Sequence, residues 1–260
     1  MKIGFIGLGN MGGAVARSVA ALGEHDLLLS HHNLVKAESL QKEIGGKITS
    51  NDHIVSQADV VFWGIKPQLL DQVLSSFVGK EKPGALWISM LAGVSLDQLG
   101  RYHAQQHWVR MMPNTPVAIG AGMTSYTCET TDVASLFEDL MKQSGRLMRL
   151  PEGLLDVATA IAGCGPAFVF EFIEALSLAG LEQGLRKEDA TLLAVQTLSG
   201  ASQLALNSDE TPSQLRDQVT SPGGSTIAGV VEMKEAGFQS AIIRGVKKAL
   251  QRTQELGNKE

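Results

Sequence analysis

Cysteine is almost absent from this chain, which has only Cys128 and Cys164. Two cysteines so far apart lack the spacing of a metal or redox site and are too few for a disulfide framework. Cys164 has no basic partner nearby in the sequence to activate it, so we do not expect a nucleophilic thiol. His103 and His107 are spaced as neighbours on one exposed helix face, but no third ligand accompanies them. We therefore expect no metal site.

Charge and long apolar runs are also limited. Charged residues make up 19% of the chain and the net charge is −5, with no basic block longer than Lys247-Lys248. This argues against a nucleic-acid surface or an anionic membrane as partner. The apolar amino terminus is interrupted by glycines and Asn10, unlike a signal peptide, and we find no apolar run of the roughly 18 residues that a membrane span needs. We expect a cytoplasmic protein.

The amino terminus is instead rich in glycine and has the pattern of a nucleotide-binding turn. The run Lys2–Ile6 predicts a strand, which leads into a G-x-G-x-x-G turn and then a helix. Gly7 allows the tight bend, Gly9 lets the backbone approach a pyrophosphate, and Gly12 lets the helix pack on the strand. Unpaired N–H groups at the helix start favour the phosphates. We therefore expect a dinucleotide cofactor here rather than a purely structural turn.

Strand-like and helix-like segments alternate over the first 150 residues, as in a parallel sheet with helices on both faces. We predict strands at 2–6, 26–30, 59–65, 85–89, 108–111, 122–127 and 146–150. We predict helices between them at 11–22, 34–43, 68–78, 95–104 and 132–143. After Pro151 only helical patterns follow, which predicts two domains, 1–151 and 152–260. The fold class is α/β: a Rossmann-type doubly wound sheet followed by an all-α dimerisation domain.

The first helical stretch of the second domain, from Gly153 to Leu185, has almost no polar face. A helix that is apolar on all sides needs neighbours on all sides, and a small domain has few places to bury it. We therefore expect this stretch to pack against a second subunit in a homodimer, with burial inside its own domain as the alternative. Within it, the run Gly163–Ala167 contains two glycines and a proline, which predicts a kink or break.

A second chemical signal lies at Thr220–Thr226, where a Pro-Gly-Gly turn and Ser-Thr precede a predicted helix from Ile227 to Ala236. Such a turn exposes several backbone N–H groups in one concave surface, which binds an anion and suits a carboxylate. The alternative is that Ser225 or Thr226 is simply the N-cap of the helix.

In order along the chain, five motifs resemble those of pyrroline-5-carboxylate reductases, the last enzymes of proline synthesis. The motifs are Lys2–Gly12, Ile65–Pro67, Arg110–Pro116, Gly163–Ala167 and Thr220–Thr226. The resemblance extends from residue 2 to about 255. It implies that reduced nicotinamide delivers hydride to the C=N carbon of 1-pyrroline-5-carboxylate, giving L-proline. Related reductases assemble dimers into rings, so the resemblance allows a homodimer or a higher homo-oligomer.

The same resemblance implies roles for individual residues. Thr226 is the implied catalytic residue; because threonine is a poor general acid, we interpret its hydroxyl as a hydrogen-bond partner or proton relay for the imine. The substrate carboxylate would be bound by Ser221, Gly223, Gly224, Ser225 and Thr226. The motifs and the resemblance together place the cofactor at Gly7, Gly9, Asn10, Met11, Gly12, Ser30, His31, Asn33, Asn51, Ile65, Lys66, Pro67, Met112, Pro113 and Asn114.

The end of the second predicted strand bears on the choice of cofactor. NAD sites carry an acidic residue about 20 residues after the glycines, for the ribose 2′-hydroxyl. This chain has Ser30–Asn33 there and Lys36 shortly after, while Asp26 lies at the wrong end of the strand. Hydroxyl, amide and cationic groups suit a 2′-phosphate, so we expect NADPH, with NADH as the alternative. The resemblance places Asn51 near the adenosine; its alternative role is N-cap of a short helix from Asp52.

Three other functions stay open at this point. A β-hydroxyacid dehydrogenase shares the opening glycine motif, but it needs a catalytic lysine, and neither Lys187 nor Lys234 lies in that family's motif. That function also leaves the Pro-Gly-Gly-Ser-Thr turn unexplained. A reductase of another cyclic imine would use the same geometry. A nucleotide-sensing regulator would bind NADPH without oxidising it, so NADPH consumption on adding an imino acid separates it from the enzymes.

Overall fold

The computed structural model describes residues 1–257 and divides into two compact units. The first comprises residues 1–166 together with the chain from Lys248 onward, and the second comprises residues 167–247. The domain boundary that the sequence predicts at residue 151 stays a prediction. Residues 258–260 of the predicted second domain lie outside the described residues.

An eight-stranded sheet forms the centre of the first unit, in the order β3-β2-β1-β4-β5-β6-β7-β8. Its strands are β1 (Lys2–Ile6), β2 (Asp26–Ser30), β3 (Lys47–Ile48), β4 (Val60–Trp63), β5 (Leu86–Ser89), β6 (His107–Met112), β7 (Gly122–Cys128) and β8 (Gly145–Arg149). All seven predicted strands are present, β1 and β2 with the predicted ends and the other five with ends shifted by one or two residues, whereas the two-residue β3 was not predicted.

The sheet is parallel apart from one pair, since β7 runs antiparallel to β6. The entirely parallel sheet that the sequence pattern suggests is therefore wrong at this point. The physical reason is the short connection, residues 113–121, because a parallel crossover needs about a dozen residues or more.

Helices cover both faces of the sheet, as predicted for a doubly wound fold. They are α1 (Asn10–Ala20), α2 (Leu34–Ile44), α3 (Asn51–Gln57), α4 (Leu70–Ser75), α5 (Leu96–Tyr102) and α6 (Thr131–Met141). One face of the sheet is packed around the stacked rings of Phe5 and Phe62, whose centroids are 4.8 Å apart. The other face is packed around Trp63, Trp87 and Trp108.

His103 and His107 do not share the exposed helix face that their spacing predicts. His103 follows the last residue of α5 and is buried, with its ring centroid 4.5 Å from that of Trp87. His107 is exposed and begins β6. The helix ends at Tyr102, before either histidine, so the i, i+4 spacing has no helical meaning there.

Helices and turns make up the described chain after β8. They are α7 (Leu155–Ala158), α8 (Gly165–Glu182), α9 (Lys187–Leu206), α10 (Pro212–Gln218), α11 (Ser225–Glu235) and α12 (Phe238–Gly257). The predicted break occurs, because a π-helical turn over Thr159–Gly163 and a bend at Cys164 separate α7 from α8. The Cys164 N–H donates to the Thr159 carbonyl at 2.9 Å, which is the five-residue hydrogen bond of a π turn.

The stretch Glu152–Glu182 is long and apolar enough to cross a membrane, judged by length and composition alone. Its most apolar window has a mean hydropathy of 1.6, and 11% of that window is buried. The expectation that the chain has no apolar run of about 18 residues is a stricter criterion, because mean hydropathy over a window tolerates polar residues that interrupt such a run.

The second unit has almost no core of its own. Among residues 167–247, all of which the structure describes, only Ser177, Ala190 and Ala194 are buried. Large apolar side chains are exposed instead, including Phe170, Leu178, Leu192, Leu193, Leu204, Leu206 and Ile243. Exposed apolar surface on this scale marks an interaction surface. The alternative, that these apolar residues are buried inside their own unit, is therefore wrong for the single chain.

Candidate active site

The predicted cofactor residues of the first unit lie at the carboxyl ends of four parallel strands. Gly7 follows β1, Ser30 ends β2, Gly64 and Ile65 follow β4, and Met112 ends β6. From β1 the chain first adds β2 and β3 on one side and then β4 on the other. Open α/β sheets bind their ligands at the carboxyl edge where the strand order reverses in this way, which here is between β1 and β4.

The glycine turn brings two backbone segments into very close contact. A Cβ atom on Gly12 would lie 2.0 Å from the Gly7 carbonyl oxygen, so only glycine fits there. Gly7 itself has a φ of +96° and would clash with the Gly64 backbone if it carried a side chain. The turn is thus held by the protein's own packing, as Gly7 and Gly12 in the motif predict.

Gly9 has a different reason to be glycine. Its φ of −68° suits any residue, and an added Cβ would meet nothing within 4 Å of the described chain. Gly9 is the N-cap of α1, and no described side chain hydrogen-bonds to the N–H groups at that helix start. The open space and the unpaired donors fit a pyrophosphate, with Asn10, Met11 and Gly12 forming the first turn of the helix.

The structure brings together the polar residues at the end of β2. The Ser30 hydroxyl lies 2.5 Å from Asn51 Oδ1, and the Asn33 N–H donates to His31 Nδ1 at 2.9 Å. Because His31 Nδ1 accepts this hydrogen bond, the ring proton is on Nε2. Partial burial, together with His32 and Lys36, lowers the pKa of His31 below its ordinary value. His31 is therefore neutral at pH 7.

Asn51 is not the N-cap of α3, which corrects one alternative from the sequence. The N-cap is Ser50, whose hydroxyl accepts a hydrogen bond from the His53 N–H. Asn51 is the first helical residue, so its side chain is available to contact Ser30.

The two remaining parts of the predicted cofactor site follow β4 and β6. Ile65 is half-buried and Lys66 is exposed, and Pro67 begins a 3₁₀ helix over Pro67–Leu69. Proline is common at this first helical position because its missing N–H is unpaired there anyway. After β6, Met112, Pro113 and Asn114 are all buried. These segments share the carboxyl edge of the sheet with the glycine turn.

A buried charge on β6 was not given a role from the sequence. Arg110 is 4% exposed and donates to Asp156 Oδ1 at 2.6 Å and to Glu152 Oε1 at 3.4 Å. The Leu96 N–H donates to the same Glu152 oxygen at 2.7 Å. The signal in the sequence is an arginine inside an otherwise apolar strand, because a charge buried there needs a carboxylate partner. This network holds the start of the helical chain to the end of β6.

The Ser221–Thr226 segment belongs to the second unit. The Gly224 N–H donates to the Ser221 carbonyl at 3.0 Å, and Gly223 has a φ of +68°. The N-cap of α11 is Gly224, and within residues 1–257 no side chain caps this helix. The alternative that Ser225 or Thr226 is the N-cap is therefore wrong. Both are exposed and begin the helix, so their hydroxyls and the first N–H groups are available to a ligand.

One of the two lysines considered for a hydroxyacid dehydrogenase, Lys187, is engaged in an ion pair. Lys187 Nζ donates to Glu174 Oε1 at 2.6 Å within the second unit. This ion pair is exposed and gives no sign of a catalytic lysine.

Two family models match the chain. One describes pyrroline-5-carboxylate reductase dimerisation and matches residues 152–256. The other describes coenzyme F420-dependent NADP oxidoreductases and matches residues 2–93.

Curated relatives match over the full length. A pyrroline-5-carboxylate reductase of Synechocystis is 37% identical over 267 aligned positions, covering 100% of this chain and 99% of the relative. The Escherichia coli enzyme is 33% identical and covers 98% of both chains. This chain belongs to the pyrroline-5-carboxylate reductase family.

Solved structures of this family have the same fold. A Plasmodium falciparum pyrroline carboxylate reductase with NADP bound is 28% identical, with a TM-score of 0.88, covering 99% of this chain and 98% of that chain. The Streptococcus pyogenes enzyme is 30% identical, with a TM-score of 0.89, covering 98% of both. The Rossmann-type sheet and the helical dimerisation region predicted from the sequence are thereby confirmed.

The second and third glycines of the turn, Gly9 and Gly12, predict different effects of the same substitution. We expect Gly12→Ala to lower the free energy of unfolding by about 1–3 kcal/mol, because its Cβ overlaps the Gly7 carbonyl oxygen. We expect Gly9→Ala to leave unfolding unchanged but to weaken NADPH binding at least tenfold, because its Cβ occupies space left for the pyrophosphate.

Urea unfolding and a fluorescence titration with NADPH measure the two effects. Each variant is the matched control of the other. Full NADPH affinity in a folded Gly9→Ala protein would place the pyrophosphate elsewhere.

Proposed function

We propose that this chain reduces the C=N bond of 1-pyrroline-5-carboxylate to give L-proline, with NADPH as the preferred hydride donor. The observation that carries the proposal is the full-length relationship to pyrroline-5-carboxylate reductases. The structure adds two helix starts with glycine N-caps, one for each anionic partner. With its pyrophosphate at the start of α1, the bound cofactor would supply hydride from its reduced nicotinamide to the C=N carbon, and the ring nitrogen would take a proton from solvent to end as the amine.

The start of α11 suits the substrate carboxylate. The turn from Ser221 to Gly224 directs the chain so that the first N–H groups of the helix have no side-chain partner among the described residues. A carboxylate there gains both hydrogen bonds and the favourable helix dipole. We assign Ser221, Gly223, Gly224, Ser225 and Thr226 to this subsite.

Thr226 is the side chain that we assign to the imine nitrogen. Its hydroxyl is exposed and is not used as a helix cap. A threonine hydroxyl is too weak an acid to drive proton transfer, so it acts as a hydrogen-bond partner or relay. Most of the rate then comes from holding the imine in line with the hydride donor.

The proposed reaction is tested by following NADPH absorbance on addition of 1-pyrroline-5-carboxylate and by identifying proline as the product. We expect Thr226→Ala to lower kcat about 30-fold, the loss of a hydrogen bond worth about 2 kcal/mol. Thr226→Ser retains the hydroxyl, so it is the control and should keep most of the turnover.

Near-normal turnover of Thr226→Ala would dismiss a chemical role for the hydroxyl. If the wild-type protein binds NADPH but does not oxidise it with this substrate, another cyclic imine or a hydroxyacid becomes the candidate substrate.

The preference for NADPH rests on the residues after β2. Ser30, His31, Asn33 and Lys36 supply hydroxyl, imidazole, amide and ammonium groups, and Asp26 begins the strand at the opposite edge of the sheet. These groups suit a 2′-phosphate, and NADH lacks that phosphate. Because the pKa of His31 is lowered in the free protein, a phosphate dianion nearby would raise it again.

This gives the cofactor preference a pH dependence. As pH falls from about 8, NADPH binding should take up a proton on His31, so the NADPH-to-NADH affinity ratio rises and levels off below the lowered pKa of free His31. Below pH about 6 the 2′-phosphate also takes up a proton, which weakens binding in every variant.

Affinities for both cofactors from pH 5 to 9 measure the ratio. The control is His31→Gln, which removes the imidazole and leaves proton uptake by the 2′-phosphate in place. The same pH profile in the wild type and His31→Gln would contradict this role for His31.

We propose that the exposed apolar surface of the second unit is covered by a second copy of the chain. An 81-residue unit with three small buried residues lacks the apolar core that an isolated unit of this size needs. The family model that matches residues 152–256 describes dimerisation. The match of that family model from residue 152 onward supports the proposed domains 1–151 and 152–260. The reaction, which uses small soluble substrates, supports a cytoplasmic location.

We expect light scattering on a sized preparation to give twice the mass of the chain, or a multiple of that value. Phe170→Glu should lower this mass by placing a charge in the interface. Val78→Glu is the matched control, because Val78 and Phe170 are both 63% exposed but Val78 lies in the first unit. A wild-type monomer at micromolar concentration would refute the proposal, and fractionation with membranes would assign the apolar surface to lipid.

A further inference from the structure

Asn114 joins three separate segments of the chain through its side-chain amide. Its Nδ2 donates to the Ala162 carbonyl at 3.1 Å, and its Oδ1 accepts a hydrogen bond from the Met123 N–H at 2.9 Å. The residue is 8% exposed. A carbonyl needs a donor and an N–H needs an acceptor, so the two bonds fix the orientation of the amide.

Ala162 needs this donor because of a proline. In an α-helix the carbonyl of Ala162 would accept from the N–H four residues later, but that residue is Pro166, which has no N–H. The π turn over Thr159–Gly163 and the bend at Cys164 place this carbonyl where the helix is interrupted. Ala162 is half-buried, so its carbonyl is partly shielded from water, and a side chain that donates to it stabilises the break.

The same segment is fastened to β6 a second time. Arg110 lies four residues before Asn114 and pairs with Glu152 and Asp156. Arg110 and Asn114 thus hold the two ends of the segment 152–162. Met112 and Pro113 lie between Arg110 and Asn114 in the sequence. The family resemblance places Met112 and Pro113 in the cofactor site, and we assign them to its nicotinamide end.

We propose that Asn114 is a positioning residue. Its side-chain amide donates to the Ala162 carbonyl in place of the N–H that Pro166 lacks, and this link holds Met112 and Pro113 in place. The assignment of Met112–Pro113 rests on the proposed function; the hydrogen-bond link does not. Asn114 acts through these neighbours, because its amide is engaged by backbone groups on both sides. Displacement of Met112 and Pro113 should slow hydride transfer more than it weakens the binding of substrate and NADPH.

Two variants separate the two hydrogen bonds. Asn114→Leu removes both, whereas Asn114→Asp keeps the acceptor for Met123 but replaces the donor to Ala162 by a carboxylate oxygen that the Ala162 carbonyl repels. We expect kcat to fall about tenfold or more in both variants, with the KM values for substrate and NADPH changing less than threefold. Faster amide hydrogen exchange at Met123 should appear in Asn114→Leu but not in Asn114→Asp. Ala118→Ser, an exposed neighbour on the following 3₁₀ helix, is the control and should change none of these.

Pro166→Ala supplies the missing N–H and tests the origin of the link. We expect Asn114→Leu to shift the unfolding equilibrium constant several-fold less in the Pro166→Ala background than in the wild type, since Ala162 then has a second donor. Equal effects in both backgrounds would overturn the link to Pro166. A rise in the NADPH dissociation constant at unchanged kcat and unchanged Met123 exchange would make Asn114 a direct cofactor ligand instead. Exchange and unfolding need no turnover, so they judge this proposal even if the proposed reaction fails.

Discussion

Backbone N–H groups at the start of a helix need hydrogen-bond acceptors. In the two candidate binding sites no side chain among residues 1–257 fills this role, so a ligand can. Both α1 and α11 begin after glycine, and no described side chain caps either one. A serine, threonine or aspartate at the N-cap would stabilise each helix by about 1 kcal/mol relative to residues that cannot cap. The chain uses such caps elsewhere, at Ser50, Ser95 and Thr211. The donors that glycine leaves free at α1 and α11 are therefore available to a pyrophosphate and a carboxylate.

The fold was largely predictable because it depends on local periodicity. Apolar runs of four to seven residues predicted seven strands, and the run at β4 is buried throughout, as expected between two helical layers. The two-residue β3 has no periodicity to detect. The antiparallel direction of β7 follows from the short connection between β6 and β7, and the strand predictions do not use connection lengths. The Gly7–Gly12 turn was predictable because the spacing of its glycines, together with a strand before it and a helix after it, marks the motif.

Less of the site could be predicted, because its side-chain links cross long sequence separations. Asn114 and Ala162 are 48 residues apart, and Ser30 and Asn51 are 21 apart. Nothing in the spacing of Pro-Asn-Thr-Pro indicates that the asparagine amide faces a helix break. The nearest sequence signal was Pro166 itself, since a proline inside an apolar helix always leaves a carbonyl that needs another donor. Arg110 gave a similar signal as a charge inside an apolar strand.

The contrast between the two units explains where rigidity is placed. The first unit has two apolar clusters, one on each face of the sheet, so the carboxyl edge is fixed by the packed interior. The second unit has almost no buried apolar residues in the single chain. Its stability therefore depends on the surface that covers it. The helical segment that follows β8 belongs to the first unit and is interrupted by a π turn. Polar links from β6 to this segment are stronger constraints than apolar packing alone, because Arg110 and Asn114 each fix direction as well as distance. Hydride transfer requires such directional control, since a displacement of about 1 Å at the reacting carbon costs on the order of a hundredfold in rate.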